Sequence, residues 1–468
     1  MKGSIITRIR QRFVFLALAV FILALQAGIA GYIGYNSYHV VDTSDWTIHA
    51  ELSSYTPAKL EPEQGAYLGA YVLQNAAIGH SMSEYNERTG RTHASFFKYV
   101  GYGQPFPAEW VEQVKAEGAF PHIAWEPNGG LLAVKEDEYL RGFAKAADAA
   151  DVPIFLRFAS EMNGSWTSYS GNPQLYKETW KLVHDVFEEL APQVAMVWTV
   201  LAMPERTIER YYPGDRYVDW VGVNVYNVKY HNNSKSHRAD FEDPLDLINT
   251  VYNRFSRTKP IQLSEFGVTH YTVTDGKKDN DFARGKISRL YQSLPKLYPR
   301  VKAVFYFDVN NVGEPNPKRR INDYSVTSEQ EVLEAYRQSI ADEHYLSGLP
   351  AEPAYAGTLP LHTHKEHFTY RGRVFKERGV LYADVTFYEQ LLGLKVEKQG
   401  RHVILTRGAG KAGLAVKTTS KQRRAWAGYH YMNYVPLYRS LTSLPLEDTL
   451  QLLGYEVVLN GNNIWIEE

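Results

Sequence analysis

At 468 residues the chain is too long for one ordinary domain, and two or three are expected. A formal net charge of −1 leaves no excess of basic residues on which nucleic-acid binding could rest. The absence of cysteine excludes disulfides, thiolate metal sites and cysteine nucleophiles, and fits an exported bacterial protein that depends on none of them.

The chain opens with a basic segment, 1–12, containing Lys2, Arg8, Arg10 and Arg12, followed by an apolar run over 13–35. Positive charge ahead of the run predicts a cytoplasmic N-terminus. The run approaches the ~20 residues needed to cross a bilayer and exceeds the ~7–15 of a signal-peptide core. It is read as an uncleaved signal anchor, with cleavage near Ala27, Gly28 and Ala30 as the alternative. Either way the bulk of the protein is expected outside the cytoplasm, held to the membrane or secreted. Residues 36–60 read as a linker.

From 61 to 345 short apolar runs alternate with amphipathic ones. Strands are expected at 67–72, 94–100, 120–125, 153–159, 194–200, 218–226, 260–265 and 301–307, separated by helical patterns such as "DEYLRGFAKAADAA" and "LYKETWKLVHDVFEELA". Eight strand–helix units in this length predict a (β/α)₈ barrel. An open doubly wound sheet is the alternative, but the glycine-rich phosphate loop it normally carries after its first strand is missing.

A Pro- and Gly-containing stretch, 346–365, reads as a second linker. Beyond it, 366–468 changes to short strands around helices and contains a repeat: "EQLLGLKVEKQGRHVIL" parallels "LQLLGYEVVLNGNNIWI". Each predicts a helix end, a glycine, and a hairpin turning at Gly400 or Gly461, so a small α+β domain of two similar halves is expected. His362, His364 and His367 read as solvated linker histidines rather than metal ligands, and no cofactor or metal is expected. The basic stretch "KQRRAW" reads as a solvated loop, with contact to an anionic cell-wall polymer as the alternative.

Chemistry in a (β/α)₈ barrel is done at the C-terminal ends of the strands. Glu161 closes the fourth expected strand and Glu265 the seventh, where a stability argument alone would place something apolar or neutral. Two carboxylates facing each other across a barrel mouth suit hydrolysis of a glycosidic bond. With retention, one attacks the anomeric carbon and the other protonates the leaving oxygen, the two standing about 5–5.5 Å apart. They must differ in protonation at working pH. Arg157 lies four residues before Glu161, on the same face of an ideal strand, where it either orients carboxylates or closes a structural ion pair.

"RFASEMNGSW" followed downstream by "LSEFG" resembles glycoside hydrolase family 26 over about 61–345. The resemblance implies a retaining, endo-acting hydrolase with Glu161 as general acid/base and Glu265 as nucleophile. It also implies Trp166 lining the sugar site and Tyr226 hydrogen-bonding the nucleophile. Trp125 and Glu126, ending the third strand, and Trp198, on the fifth, are positioned for substrate contact or for packing. Asn163 is expected to brace the turn after strand four. Mannan-cleaving members usually carry histidine before the acid/base and often at the end of strand three; this chain has Ser160 and Glu126. β-1,4-Mannan is the expected substrate, with β-1,3-1,4-glucan or xylan as alternatives. A non-catalytic polysaccharide-binding barrel and a cell-wall anchor are the readings from other classes. The tail, 366–468, resembles the N-terminal stalk domain of copper amine oxidases, whose catalytic domain has no counterpart here.

Overall fold

The computed structural model describes residues 46–51, 57–256, 258–314, 321–350 and a series of segments between 365 and 467. The apolar run 13–35, His362 and His364, Gly400 and the first part of "KQRRAW" lie outside the described residues. Among the described residues no helix is long and apolar enough to cross a membrane.

Eight parallel strands close on themselves. They are β1 (Ala66–Tyr71), β2 (Ser95–Gly101), β3 (Phe120–Glu126), β4 (Ile154–Phe158), β5 (Val194–Leu201), β6 (Trp220–Asn227), β7 (Ile261–Val268) and β8 (Val301–Phe307). Each pairs in parallel with the next, and β8 pairs back onto β1 from Ala303–Tyr67 to Phe307–Tyr71, which shuts the barrel. The eight expected strands are all present, displaced by at most three residues. Helices follow each strand: α1 (Met82–Thr89), α2 (Ala108–Ala116), α3 (Glu138–Ala149), α4 (Pro173–Leu190), the single turn α5 (Glu205–Ile208), α6 (Pro244–Phe255), α7 (Asn280–Leu297) and α8 (Gln330–Ser339).

The loops feeding these helices end in residues that satisfy free helix N–H groups. Ser81, Asp137, Asn172, Asp243 and Asp279 each accept a hydrogen bond from the first turn of α1, α3, α4, α6 and α7. Proline follows the cap in α4 and α6, where its missing N–H costs nothing.

Strand alternation divides the apolar residues into two buried sets. Outward side chains such as Leu68, Phe96, Ile123, Leu156 and Val221 join the helices in the larger core. Inward ones, Tyr67, Phe97, Phe120, Phe155, Trp220 and Phe305 among them, fill the barrel's interior. Phe305 claims its space because Gly69 opposite has no side chain: a Cβ there would stand 2.4 Å from the Phe305 ring. His122 sits among Phe97, Phe155 and Phe305, and burial followed by the nearby Arg157 charge drives its pKa well below the ordinary value. The lower interior of the barrel is therefore largely aromatic, and polar side chains collect above it.

In the C-terminal part both repeat halves fold alike. Helix Val385–Gln390 precedes the hairpin Lys395–Gln399/His402–Thr406, and helix Leu446–Leu452 precedes Glu456–Asn460/Asn463–Glu467. Gly461 makes the second turn at φ 59°. One expectation is corrected here. Within the stretch read as a linker, Trp46–Glu51 is a strand, antiparallel to Lys365–Tyr370 and parallel to Asn463–Glu467. Its short alternation, "WTIHAE", completes a sheet whose other strands lie more than 300 residues later.

Candidate active site

The mouth at the C-terminal ends of the strands is built around one buried cation. Arg157, on β4 and fully buried, extends from the inner face and donates from Nη2 to Glu265 Oε1 at 2.6 Å. Burial alone would lower its pKa, but the Glu265 charge, with Tyr99 and Glu126, outweighs this and raises it. The guanidinium lies over the rings of Phe97 and Tyr99, 5.1 and 5.4 Å from their centroids. A buried arginine without its carboxylate would be very costly, so each member of this pair makes the other tolerable.

Glu265 reaches the mouth through a fault in β7. Leu263 pairs with Val223 and Glu265 with Asn224, so Ser264 is an extra residue with no counterpart on β6. This bulge turns two consecutive side chains inward: Ser264 meets Thr199 at 2.9 Å, and Glu265 rises into the opening. There the carboxylate accepts from Arg157 and Tyr99 on Oε1 and from Tyr226 on Oε2. Burial, then the Glu265 charge, pushes both phenols well above their ordinary pKa, so both remain protonated and donate. Three donors fix the direction of the Glu265 carboxyl group.

Glu161 is placed differently. β4 ends at Phe158, and two of the next three residues, Ala159 (φ 47°) and Glu161 (φ 59°), adopt left-handed backbone that side chains other than glycine's seldom take. The turn, rather than continued strand alternation, returns Glu161 to the mouth. Its backbone N–H bonds Thr199 O at 3.0 Å. Its Oε1 accepts from Asn224 Nδ2 at 2.8 Å and its Oε2 from Trp166 Nε1 at 3.1 Å. Asn224 stands between the two glutamates: its Oδ1 lies 3.5 Å from Arg157 Nη1. Burial first, and then the charge of Glu265, push the Glu161 pKa up to about 7; the Asn224 hydrogen bond and Arg157 oppose the rise. The two carboxyl groups thus occupy one opening in unlike environments, one fixed by three donors and one able to carry a proton near neutrality.

The remaining expected residues divide sharply. Trp166 is 57% exposed beside Glu161, a free ring face at the mouth. Tyr226 reaches Glu265. Asn163 braces the turn by exchanging two hydrogen bonds with Leu201, at 2.8 and 2.9 Å. Trp125 and Trp198 do not line the mouth. Both are 0% exposed and point outward, Trp125 stacked on Phe143 at 4.1 Å and Trp198 against Tyr212 and Phe255. Alternation explains this, because Trp125 lies on the outer face of β3 beside Ile123. Glu126, the next residue after Trp125, is engaged by neighbouring side chains. It is buried, accepting from Ser160 N and Oγ at 3.2 and 2.6 Å and from Tyr169 OH.

Two members of the site are absent from the sequence expectations: Tyr99 and Asn224. Asn224 had a legible signal, a lone amide inside the apolar run "VGVNVY" and two residues before Tyr226, hence on the same face. Tyr99 follows Phe97 by two in "SFFKYVG" and looks like another core aromatic until its hydroxyl is placed.

Residues 137–293 match the family described as Glycosyl hydrolase family 26. Over 296 residues the chain is 25% identical to Endoglucanase H of Acetivibrio thermocellus, covering 59% of this chain and 30% of that protein. Over 250 residues it is 24% identical to the Beta-1,3-xylanase TXYA of a Vibrio species, covering 48% and 50%. The chain therefore spans half or less of the length of these curated relatives. Among solved structures it is similar to a Cellulomonas fimi endo-beta-1,4-mannanase double mutant, with 16% identity and a TM-score of 0.46, covering 64% of this chain and 78% of that one. It is also similar to a GH26 beta-mannanase from Bacteroides ovatus, with 15% identity and a TM-score of 0.45, covering 64% and 95%. The stretch matched by the family, residues 137–293, is the one that supplies Arg157, Glu161, Asn224, Tyr226 and Glu265.

Proposed function

We propose that the protein is a retaining, endo-acting hydrolase of a β-linked polysaccharide. The observation that carries this reading is the unlike pair: Glu265 fixed by Arg157, Tyr99 and Tyr226, and Glu161 raised to about 7 beside it. In the first step Glu265 attacks the anomeric carbon while Glu161 gives its proton to the departing glycosidic oxygen, leaving a covalent glycosyl–enzyme. Glu161, now a carboxylate, takes a proton from the incoming water, which displaces Glu265 and restores both groups. Tyr226 and Tyr99 release part of their hold on Glu265 as its charge passes to the new bond. Endo action is supported by the exposure of Trp166 and Tyr99, which leaves the mouth open to a chain running past it.

For the sugar, β-1,4-mannan is the reading that the commonest activity of the family supports. A β-1,3-1,4-glucan or a xylan is the second reading, favoured by a specific feature. Where mannan-cleaving members carry two histidines, this chain has Ser160 and Glu126, which hydrogen-bond each other. The names of the curated relatives, an endoglucanase and a β-1,3-xylanase, point the same way. Incubation with mannan, lichenan, β-1,3-xylan and β-1,4-xylan, with assay of new reducing ends, decides the sugar. Release that Glu265→Ala abolishes supports the enzyme, and no release from any β-glycan favours a binding barrel. The run 13–35 is proposed to hold the barrel outside the cytoplasm, which protease accessibility on intact cells tests. The tail is proposed to touch cell-wall polymer, so deleting 366–468 should abolish wall retention and leave hydrolysis intact.

A further inference from the structure

The reading of Glu161 as acid/base leaves Glu126 without a part in the reaction, although it is a buried acid directly behind that turn. Both of its oxygens are engaged by the protein itself. Oε1 takes the Ser160 hydroxyl at 2.6 Å, while Oε2 takes the Ser160 backbone N–H at 3.2 Å and the Tyr169 hydroxyl. Tyr169 also bonds Ser160 O at 2.9 Å. Ser160 is thereby gripped at its N–H, its carbonyl and its side chain, and it sits between the two left-handed residues Ala159 and Glu161. Backbone in that region persists only where the surroundings over-determine it, and the Glu126–Tyr169 pair supplies that determination. We propose that Glu126 is a positioning residue for the acid/base: its carboxyl group clamps the strained turn that aims Glu161.

The inference rests on the hydrolase reading and deepens it. The groups facing Glu161 come from five strands and the loop after β4: Tyr99 from β2, Glu126 from β3, Arg157 from β4, Asn224 and Tyr226 from β6, Glu265 from β7, and Trp166 and Tyr169 from the loop. Glu126 itself faces Arg157, Ser160, Tyr169 and Glu265. Of the two acids whose charge bears on Glu161, Glu265 is the nucleophile, so Glu126 is the one that can be neutralised without removing a reacting group.

The test uses the full chain and the variants Glu126→Gln and Ser160→Ala. The titration of the Glu161 carboxyl is followed by carbon-13 NMR in wild type and variants, and kcat/KM is measured on the β-glycan cut by wild type and on an activated aryl glycoside. Glu126→Gln should move the Glu161 titration downward by about half a pH unit or more. It should lower kcat/KM about 100-fold on the polysaccharide and less than about tenfold on the activated substrate. Ser160→Ala keeps the charge and loosens the turn. It should reproduce the leaving-group bias with a smaller titration shift, and it carries the test alone if Glu126→Gln does not fold. An unchanged Glu161 titration in Glu126→Gln, or equal losses on both substrates, overturns the inference. If wild type cuts no β-glycan, the hydrolase reading fails, while the NMR titration still decides whether Glu126 governs Glu161.

Discussion

Replacing Glu161 by Gln keeps the side chain's size and its hydrogen bond to Asn224 while removing the proton that the mechanism spends. A glutamic acid at the ordinary value of 4.5 would be about 3% protonated at pH 6, whereas Glu161, at about 7, is about 90% protonated there. Its environment thus raises the fraction of competent acid roughly 30-fold. The wild-type profile of kcat/KM should fall on a basic limb centred near pH 7, and Glu161→Gln should lack that limb. Unactivated glycan should lose about 10²–10⁴-fold, with far smaller losses on aryl glycosides whose leaving group needs no proton. The same shift has a stability sign. The folded state holds the proton more tightly than the unfolded chain, so this group's contribution is fully present below pH 4.5 and is lost as pH rises through 7. The gap sets a ceiling of about 3 kcal/mol, reduced to about 1–2 by the side chain's partial exposure to solvent. Glu161→Gln should therefore gain on wild type in urea melts at pH 8 relative to pH 4. A variant that keeps the basic limb, or that loses equally on all leaving groups, would refute the assignment.

Other substitutions separate chemistry from packing. Arg157→Met leaves Glu265 buried and unpaired; it should cost about 3–5 kcal/mol in chemical denaturation and nearly all activity. Tyr226→Phe removes one charged hydrogen bond of about 1.5–3 kcal/mol, so kcat/KM should drop roughly 10–100-fold, with the melting temperature far less affected. Trp125→Ala should destabilise by about 3–5 kcal/mol, yet the protein that remains folded should keep wild-type KM, because the ring never meets the sugar. Trp166→Ala should do the reverse, with stability within about 0.5 kcal/mol of wild type and KM raised about tenfold.

The barrel was legible because its signals are local and repeated: eight apolar runs, each ended by a turn and followed by a helical period. The strand-four and strand-seven glutamates were legible as acids closing apolar runs. How they reach the mouth was not. Glu265 arrives through a bulge at Ser264 and Glu161 through a left-handed turn, and neither departure is written in residue type, since no glycine marks Ala159 or Glu161. For Trp125 and Trp198 a strand end alone leaves substrate contact and packing open; the face each occupies, set by alternation from Ile123 and Met196, puts them in the helix layer. The role of Glu126 is not legible in the sequence because its partners, Ser160 and Tyr169, lie 34 and 43 residues away. The strand at Trp46–Glu51 was hidden for a related reason: a lone strand gains its meaning only from partners at the far end of the chain.

The central claim is that Glu161 and Glu265 share one anomeric centre and act in two displacements. Proton NMR of the first reducing ends released, recorded before mutarotation, tests it most directly on whichever β-glycan is cut fastest. Double displacement predicts the β-anomer as the first product; an α-anomer at that time would mean water attacks directly and would contradict the roles assigned to both carboxylates.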